Sequence, residues 1–192
     1  MPPRNDAALE FLLTRRSRPA KTLTAPAPSR QELVSLLTAA ARSPDHGKLE
    51  PWRFVVLEQG AMARLADLAE ARGRTLGKPD EDIAKGRSQF DQGILAVAVI
   101  EVQKDSPKIP AIEQTYSAGA VCLALLNAAL AAGWGANWLS GWPSHDRAFC
   151  AEGLGLEAHE RVAGLIHIAT ETSAPPDRPR PDLETITTWV SA

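Results

Sequence analysis

The chain has 192 residues, a formal net charge of −2 and a hydrophobic share of 44%. This length fits one domain with a sizeable core, and the near-neutral charge argues against nucleic-acid or anionic-membrane binding, which needs a strongly basic surface. The two cysteines, Cys122 and Cys150, have no CxxC or metal-ligand spacing, which argues against a disulfide framework and a zinc site and fits a reducing compartment.

Hydrophobic spacing and capping residues predict the elements of the first half of the chain. Ser29 and Glu32 have the spacing of a capping box, which marks the start of a helix. Gly73 is expected to stop a helix, and the polar segment that follows it has no clear periodicity. In chain order, we predict a helix over residues 6–14, a loop over 17–28, a helix from Ser29 that Pro44 ends, a strand over 53–58, a helix over 61–71, and over 74–92 a loop with a helical turn or two.

The second half alternates apolar runs with glycine and proline. The run ILAVAV over residues 94–99 suggests a strand covered on both faces, and Gly133 is expected to end a long helix. The remaining predictions are a helix over 112–132, a strand over 135–139, a helix capped by Ser144 that fades at Gly153, a strand over 161–169, and a tail over 173–182 that forms neither helix nor central sheet. No repeat or linker divides residues 1–192, so we expect a single α+β domain.

Two apolar segments bear on the location of the protein. The first, near the N-terminus, is broken by Glu10 and lacks a small-residue cleavage site, so a signal peptide is not expected. The second, over residues 118–132, is shorter than a membrane span and contains Asn127, which favours a buried helix. We therefore predict a cytoplasmic protein.

The first candidate site lies at the end of the first predicted helix. Arg15, Arg16 and Ser17 offer two guanidinium groups and a hydroxyl side by side. Arginine binds oxyanions through a planar fork that stays charged, so this group of residues suits a phosphate. The alternative is a solvated basic helix end, because cations are also favoured in the last turn of a helix.

A second candidate site lies in the turn-rich passage over residues 39–54. His46 could donate a hydrogen bond to a cofactor, or it could simply bond to the local backbone. Arg42 could contact a ligand, or it could pair with Asp45. Trp52 leads into a strand and is expected to anchor the core or a subunit interface.

A third candidate segment runs from Tyr116 to Gly141. Its small residues over 117–120 allow a backbone or a flat ring to approach the predicted helix closely, and Gly133 and Gly135 then bend the chain into a strand. A tightly packed core helix followed by a strand explains the same pattern, and the two readings are compatible.

The motifs RRS, RSPDH with PWRF, and SAGA with LLNAALAAGWGANWLSG follow one another in order along nearly the whole chain. In this order they resemble the nitroreductase family of FMN proteins, most of all its short, bacterial, YdjA-like branch. The resemblance implies a nitroreductase-like α+β fold with a central mixed β-sheet flanked by helices. It also implies an intertwined homodimer with two FMN sites at its interface, and the proline-rich tail over 173–192 is expected to extend over the partner subunit.

The resemblance also assigns site residues by motif position. The wider family often has Gln where this chain has Glu50, which leaves an amide contact to the flavin open there; a contact of Arg178 or Arg180 with the phosphate is open too. Neither a catalytic side chain nor a metal ligand is assigned, because FMN carries the chemistry. The FMN-binding residues implied are Arg15, Arg16, Ser17, Arg42, His46, Trp138, Leu139 and Ser140. The stretch implied for the nicotinamide nucleotide is Ala128, Ala129, Leu130, Ala131, Ala132 and Gly133.

The implied activity is that of an NAD(P)H-dependent FMN oxidoreductase. A hydride would pass from NAD(P)H through flavin N5 to an electron-poor small acceptor, such as a nitroaromatic or a quinone, with ping-pong kinetics. The chain has no GxGxxG that opens a βαβ unit, so a Rossmann domain is not indicated. Two alternatives stay open: an FMN carrier or sensor without turnover, and a flavin-free interaction module that dimerises through its apolar helix. The acceptor and the choice between NADH and NADPH stay open as well.

Overall fold

A computed structural model describes residues 3–91 and 93–191. Within them the chain forms a five-stranded sheet with helices on both faces. The strands are β1 Leu23–Thr24, β2 Trp52–Glu58, β3 Leu95–Val102, β4 Gly135–Leu139 and β5 Glu160–Glu171. The helices are α1 Asp6–Thr14, α2 Arg30–Ala40, α3 Gln59–Thr75, α4 Asp80–Asp91, α5 Ala111–Ala131, α6 Arg147–Leu154 and α7 Leu183–Ile186. Short 3₁₀ turns cover Ala20–Thr22, His46–Lys48 and Trp142–His145.

The sheet is built around β5. The order is β1-β5-β3-β2, and β4 also pairs with β5, beside β1. Every pair of strands in the described residues is antiparallel, for example Val55 opposite Ala98 and Val97 opposite Ile166. The expected mixed sheet is therefore corrected to an antiparallel one. A strand buried on both faces is typical of parallel sheets, but helices cover both faces of this antiparallel sheet as well.

The apolar run of β3 divides its side chains between two cores. All eight residues of β3 are buried. Ala96, Ala98 and Ile100 face a core formed with α3, α4 and α6. Val97 and Val99 face a second core formed with α2 and α5. The expectation of a strand covered on both faces is thus confirmed.

Several predicted boundaries agree with the structure. The capping box forms: Ser29 N donates to Glu32 Oε2 over 2.8 Å, and Glu32 N donates to Ser29 Oγ over 3.3 Å. Gly133 adopts a φ of +86° just after α5, where the left-handed conformation favours glycine. The bounds of α1 and β4 are those predicted.

The third helix is longer than expected. It passes through Gly73 and continues to Thr75. Gly73 serves packing instead of termination: a Cβ there would lie 2.8 Å from the Ile83 side chain and 3.3 Å from the indole of Trp142. The stop comes at Gly77, whose φ is +63°.

The polar segment after α3 forms a complete helix, α4. Its buried stripe is short, with Ile83, Gly86 and Phe90. Gly86 contributes no hydrophobic signal, yet it lets the helix approach Trp142: a Cβ there would lie 2.3 Å from the indole Nε1. The predicted turn or two underestimated this helix for that reason. Gln92, at the end of the predicted segment, lies outside the described residues.

The cap of α6 is also corrected. Ser144 lies in the 3₁₀ turn before the helix, and Asp146 is the N-cap, since its Oδ1 accepts from Phe149 N over 2.8 Å. The helix passes Gly153 and ends at Leu154, where Gly155 takes a φ of +66°.

Helix α5 is the one candidate for a membrane span among the described residues, by length and composition alone. Eight of its residues are buried, and it packs against α2, β4 and β5. It is therefore a core helix of this fold, as expected. The tail over 173–182 has no helix or strand, which also agrees with the prediction.

Candidate functional site

The arginine segment and strand β4 meet at one edge of the sheet. α1 ends as Arg15 leaves the helical conformation, with its N–H still donating to Phe11 O over 2.8 Å. Three residues later, Arg18 N donates to Ala136 O over 2.7 Å. This bond holds residues 15–18 against β4.

The guanidinium groups of this segment carry N–H donors that lack partners. Arg15 Nη2 donates to Ser17 Oγ over 2.9 Å, but the Nε atoms of Arg15 and Arg16 are buried without a hydrogen bond in the described part of the chain. Burial lowers the pKa of Arg15, and the positive charges of Arg180, Arg16 and Arg18 lower it further. A buried N–H donor without a partner costs free energy, and so does a charge placed among like charges. A bound anion would accept hydrogen bonds from these donors and offset the repulsion between the arginines.

Two cavities flank Arg16. The first has a volume of about 480 Å³ and is lined by Arg16, Ser17, Pro19, Asn137, Pro175, Pro176 and Arg178. We call it the anion cavity. The second has a volume of about 270 Å³ and is lined chiefly by Arg15, Arg16, Arg18, Leu130, Gly133 and Trp134. The first has the size of a small-molecule site.

The C-terminal tail lines one side of the anion cavity. Arg16 Nη2 donates to Pro176 O over 3.0 Å, and Arg16 Nε lies 3.7 Å from Asp177 Oδ1. Arg178 lines the cavity, and Arg180 is close enough to lower the pKa of Arg15. The structure therefore brings both tail arginines, whose role was left open, to the N-terminal arginine segment.

The predicted residues on β4 lie at the same edge. Trp138 is 37% exposed and lies over Gly164, where a Cβ would be 2.1 Å from the indole Nε1. Leu139 packs against the core next to α3 and α6. Ser140 Oγ lies 3.2 Å from His145 Nε2.

Sequence reasoning missed Asn137 as a site residue. Its side chain lines the anion cavity beside Arg16 and Ser17. An amide in a short edge strand between two predicted site segments was an available signal. The family motif points instead to the three residues that follow Asn137.

Arg42 and His46 lie elsewhere in the same chain. His46 Nδ1 lies 2.6 Å from Glu113 Oε2, in the first turn of α5, and the Arg42 side chain is exposed. Leu130, which lines the cavity beside Arg15, is in the last turn of α5. The two turns are about 25 Å apart on the rise of an α-helix. One chain therefore does not bring the two predicted groups together.

Hydrogen bonds connect the loop that carries His46 to α5, and others form within the loop. Trp52 Nε1 donates to Ser117 Oγ over 3.2 Å, and Ser117 Oγ donates to Pro44 O over 2.8 Å. The Asp45 carboxylate accepts from Leu49 N and Glu50 N over 3.2 and 2.8 Å. These bonds support the core-anchor reading of the tryptophan. They also show that the Asp45 carboxylate binds backbone N–H groups instead of the Arg42 guanidinium.

The stretch implied for the nicotinamide nucleotide forms the last turn of α5 and its end. Leu130 and Gly133 line the second cavity, whereas Ala129 is fully buried. The side chains of residues 128–133 are apolar and offer no polar group to a nucleotide. Binding of the nicotinamide nucleotide by this stretch therefore stays a prediction. In the residues described, no cluster of three His, Cys, Asp or Glu side chains could hold a metal ion.

A buried histidine lies beneath this edge of the sheet. His167, on β5, stands directly opposite Asn137 on β4. It is 1% exposed, and neither ring nitrogen has a partner among the described residues. Burial lowers the pKa of His167 to about 4, so the ring is neutral at physiological pH.

Comparison with known proteins gives a consistent result. Residues 12–170 match the family described as "Nitroreductase family". The chain is 32% identical over 163 residues to "Putative NAD(P)H nitroreductase YdjA" of Escherichia coli K12, with 85% of this chain and 87% of that protein covered. It is 34% identical over 164 residues to a "Putative NAD(P)H nitroreductase" of Haemophilus influenzae, which covers 85% of this chain and 88% of the relative.

Solved structures show the same fold. A nitroreductase-like family protein from Bacillus cereus superimposes with a TM-score of 0.76 at 22% identity, over the full length of both chains. A nitroreductase from Desulfovibrio desulfuricans, described as a complex with FMN, gives a TM-score of 0.75 at 20% identity, over 98% of this chain and 100% of that one. These neighbours confirm the expected fold class. With the match over residues 12–170 and the identity to YdjA, they lead to one conclusion: the chain belongs to the nitroreductase family.

Proposed function

We propose that this protein is an FMN-dependent oxidoreductase that passes a hydride from NAD(P)H to an electron-poor small acceptor. Its family is one of oxidoreductases, and its curated relatives are named as NAD(P)H nitroreductases. The observation that carries the proposal is that the Nε atoms of Arg15 and Arg16 are buried without a hydrogen bond among the described residues, Arg16 beside the anion cavity and Arg15 beside the second cavity.

The charges at this edge fit a phosphomonoester. Five guanidinium groups gather here, and two carboxylates, Asp177 and Glu171, pair with some of them. Positive charge is in excess, as a phosphate with up to two negative charges requires. The five groups are those of Arg15, Arg16, Arg18, Arg178 and Arg180.

Next to the arginines, β4 supplies neutral polar groups. The Asn137 amide lines the cavity, and the Ser140 hydroxyl lies at the end of the same strand. Such groups suit the ribityl hydroxyls and the pyrimidine edge of FMN. Bound FMN supplies the hydride chemistry, so the protein is required to bind, orient and electrostatically tune it, and need not add a catalytic acid or base.

A homodimer would explain why Arg42 and His46 lie far from the arginine segment of their own chain. Arg42 and His46 lie at one end of α5 and the arginine segment at the other. A two-fold dimer with antiparallel α5 helices would bring the partner subunit's His46 beside Arg15 of the first copy. Each FMN would then be held by both subunits, with two equivalent sites per dimer.

An exposed apolar stripe on α5 supports this dimer. Ile112, Tyr116 and Leu123 lie on one face of the helix, and Tyr116 is 68% exposed. Gly119, between them, has open space where a side chain would be. A small residue inside an apolar stripe allows another helix to approach closely.

Apolar residues on α1 and in the tail support it as well. Large exposed patches of this kind mark protein–protein contacts. Residues 175–178 of the tail lie against Arg16 of their own chain, which corrects the expectation that the whole tail extends over the partner. We propose that only the part from Leu183 onward lies over the partner subunit and that this contact covers the apolar side chains. The exposed side chains are Leu9, Leu12 and Leu13 on α1, and Leu183, Ile186, Trp189 and Val190 in the tail.

Anaerobic reduction tests the activity. The purified protein, loaded with FMN, is mixed with NADH or NADPH without oxygen, and the flavin absorbance is followed. An oxidoreductase bleaches rapidly with at least one nucleotide and regains its colour when an acceptor such as a quinone is added. A flavin that stays oxidised would instead identify a carrier or sensor.

Steady-state kinetics test the order of events. If nucleotide and acceptor use the same place in turn, double-reciprocal plots at several acceptor concentrations are parallel. Intersecting lines would contradict the ping-pong part of the proposal. We place the reaction in the cytoplasm, where NAD(P)H is available and the two buried thiols stay reduced.

A further inference from the structure

Asp177 lies between Pro176 and Arg178, which line the anion cavity, and its carboxylate faces Arg16. Its Oδ1 lies 3.0 Å from Arg180 Nη2 and 3.7 Å from Arg16 Nε. The same oxygen accepts a hydrogen bond from Arg178 N over 2.8 Å. One carboxylate oxygen therefore lies close to groups of three arginines. Two of these residues, Arg16 and Arg178, also line the cavity.

These arginines are also those available to a phosphate. Arg16 lines the cavity, and its Nη2 donates to the tail carbonyl of Pro176 over 3.0 Å. Arg180 and Arg16 both stand near the Arg15 guanidinium, as their effect on its pKa shows. A carboxylate and a phosphate cannot share the same N–H donors at full strength, so they compete for them.

We propose that Asp177 is an internal stand-in for the cofactor phosphate, which displaces its carboxylate from Arg16 and Arg180 on binding. The inference rests on the proposed function, because it takes a terminal phosphate to be the ligand of this cavity. Asp177 then sets the affinity for the phosphomonoester: its negative charge weakens binding of the flavin phosphate and leaves the rest of the flavin unaffected.

The size of the effect follows from exposure. The Asp177 side chain is 73% exposed and that of Arg16 only 18%. Solvent screens one side of the pair, so removal of the charge tightens FMN binding about two- to fivefold at low salt, the range of a single exposed ion pair. The gain shrinks as salt is added.

Asp177→Asn tests the proposal, because the amide oxygen can still accept from Arg178 N while the charge is lost. Glu184→Gln is the matched control: it removes an exposed tail carboxylate that makes no hydrogen bond or ion pair in the described residues. Dissociation constants for FMN and for riboflavin are measured by quenching of flavin fluorescence. We expect tighter FMN binding in Asp177→Asn only, with riboflavin unchanged. Equal or weaker FMN binding, or an equal gain for riboflavin, overturns the proposal.

Inorganic phosphate separates this inference from the proposed function. Its stabilisation of the flavin-free protein is measured as a shift in melting temperature. A larger shift in Asp177→Asn than in the parent supports competition between the carboxylate and phosphate, even if FMN fails to bind and the proposed function is lost. If FMN binds but Asp177→Asn changes neither its affinity nor the phosphate shift, the proposed function survives and the role of Asp177 is wrong.

Discussion

His46 Nδ1 and Glu113 Oε2 lie 2.6 Å apart at the N-terminal end of α5, far from the arginines at its other end. In the proposed homodimer, each flavin site would therefore take one half of its residues from each subunit. This arrangement makes the shared site testable by mixing variants, since neither Arg15→Ala nor His46→Ala homodimers would contain an intact site.

Coexpression of the two variants tests the shared site. Random pairing gives one half heterodimers, in which one site carries both changes and the other carries none. About a quarter of all sites should therefore regain the parent affinity for FMN in a two-fold dimer. The measurement is the fraction of tight sites in an FMN titration. If no tight sites return, the two residues do not serve one site across the interface.

Arg15 is predicted to contribute a charge-assisted bond to the cofactor phosphate. Arg15→Ala should raise the dissociation constant of FMN about ten- to a hundredfold, the equivalent of about 1.5–3 kcal/mol. Riboflavin binding should change much less. Arg74→Ala is the control, because Arg74 pairs with Glu70 on the surface of α3. An Arg15→Ala protein with the parent affinity for FMN contradicts the assignment.

Acid stability should depend on His167. Burial lowers its pKa from 6.5 to about 4 in the folded state. Above pH 6.5 the ring is neutral in both states, and between pH 6.5 and 4 only the unfolded chain takes up the proton. The free energy of unfolding should therefore fall by up to about 3 kcal/mol as the pH falls through this window.

His167→Leu removes this titration. Urea unfolding at several pH values should show a smaller loss of stability between pH 6.5 and 4 in the variant, with little change at pH 8. His159→Gln, at a half-exposed surface histidine, is the control and should follow the parent. Parallel pH profiles for parent and His167→Leu would be inconsistent with a neutral buried ring.

The contact between α4 and Trp142 predicts an unusual glycine effect. Gly86→Ala should favour the helix by its propensity, but the new Cβ would lie 2.3 Å from Trp142 Nε1, which donates to Asp82 O over 2.9 Å. We expect a net loss of about 1–3 kcal/mol from overpacking.

Gly60→Ala is the matched control for that glycine. It lies in the first turn of α3 with nothing within 4 Å of an added Cβ. It should be neutral or stabilise the protein by up to about 1 kcal/mol in thermal unfolding. Stabilisation by Gly86→Ala of the same size would show that the helix is free to move away from the indole.

The sequence predicted best where neighbouring residues decide an element. Ser29 and Glu32 are three residues apart, and Gly133 needs only its own backbone freedom, so both helix ends were found. Helix α4 was underestimated because its burial depends on Trp142, which lies more than fifty residues away. A contact of that kind leaves no local periodicity in the sequence.

The candidate site shows the same division. The order of the motifs was enough to select Arg15, Arg16 and the β4 segment, which the structure brings to one edge. Asp177 was not selected, because its contact with Arg16 joins the two ends of the chain. The separation of His46 from Arg15 could not be seen in one dimension either, since it follows from the length of α5.

FMN binding at the arginine edge is the central claim, and one measurement tests it directly. The purified protein is incubated with excess FMN, passed through a desalting column, and its flavin and protein contents are measured from the absorbance spectrum. We expect a yellow protein with close to one FMN per chain, and a clear loss of retained flavin in Arg15→Ala. A colourless parent protein, or the same flavin content in Arg15→Ala, would contradict FMN binding at this edge.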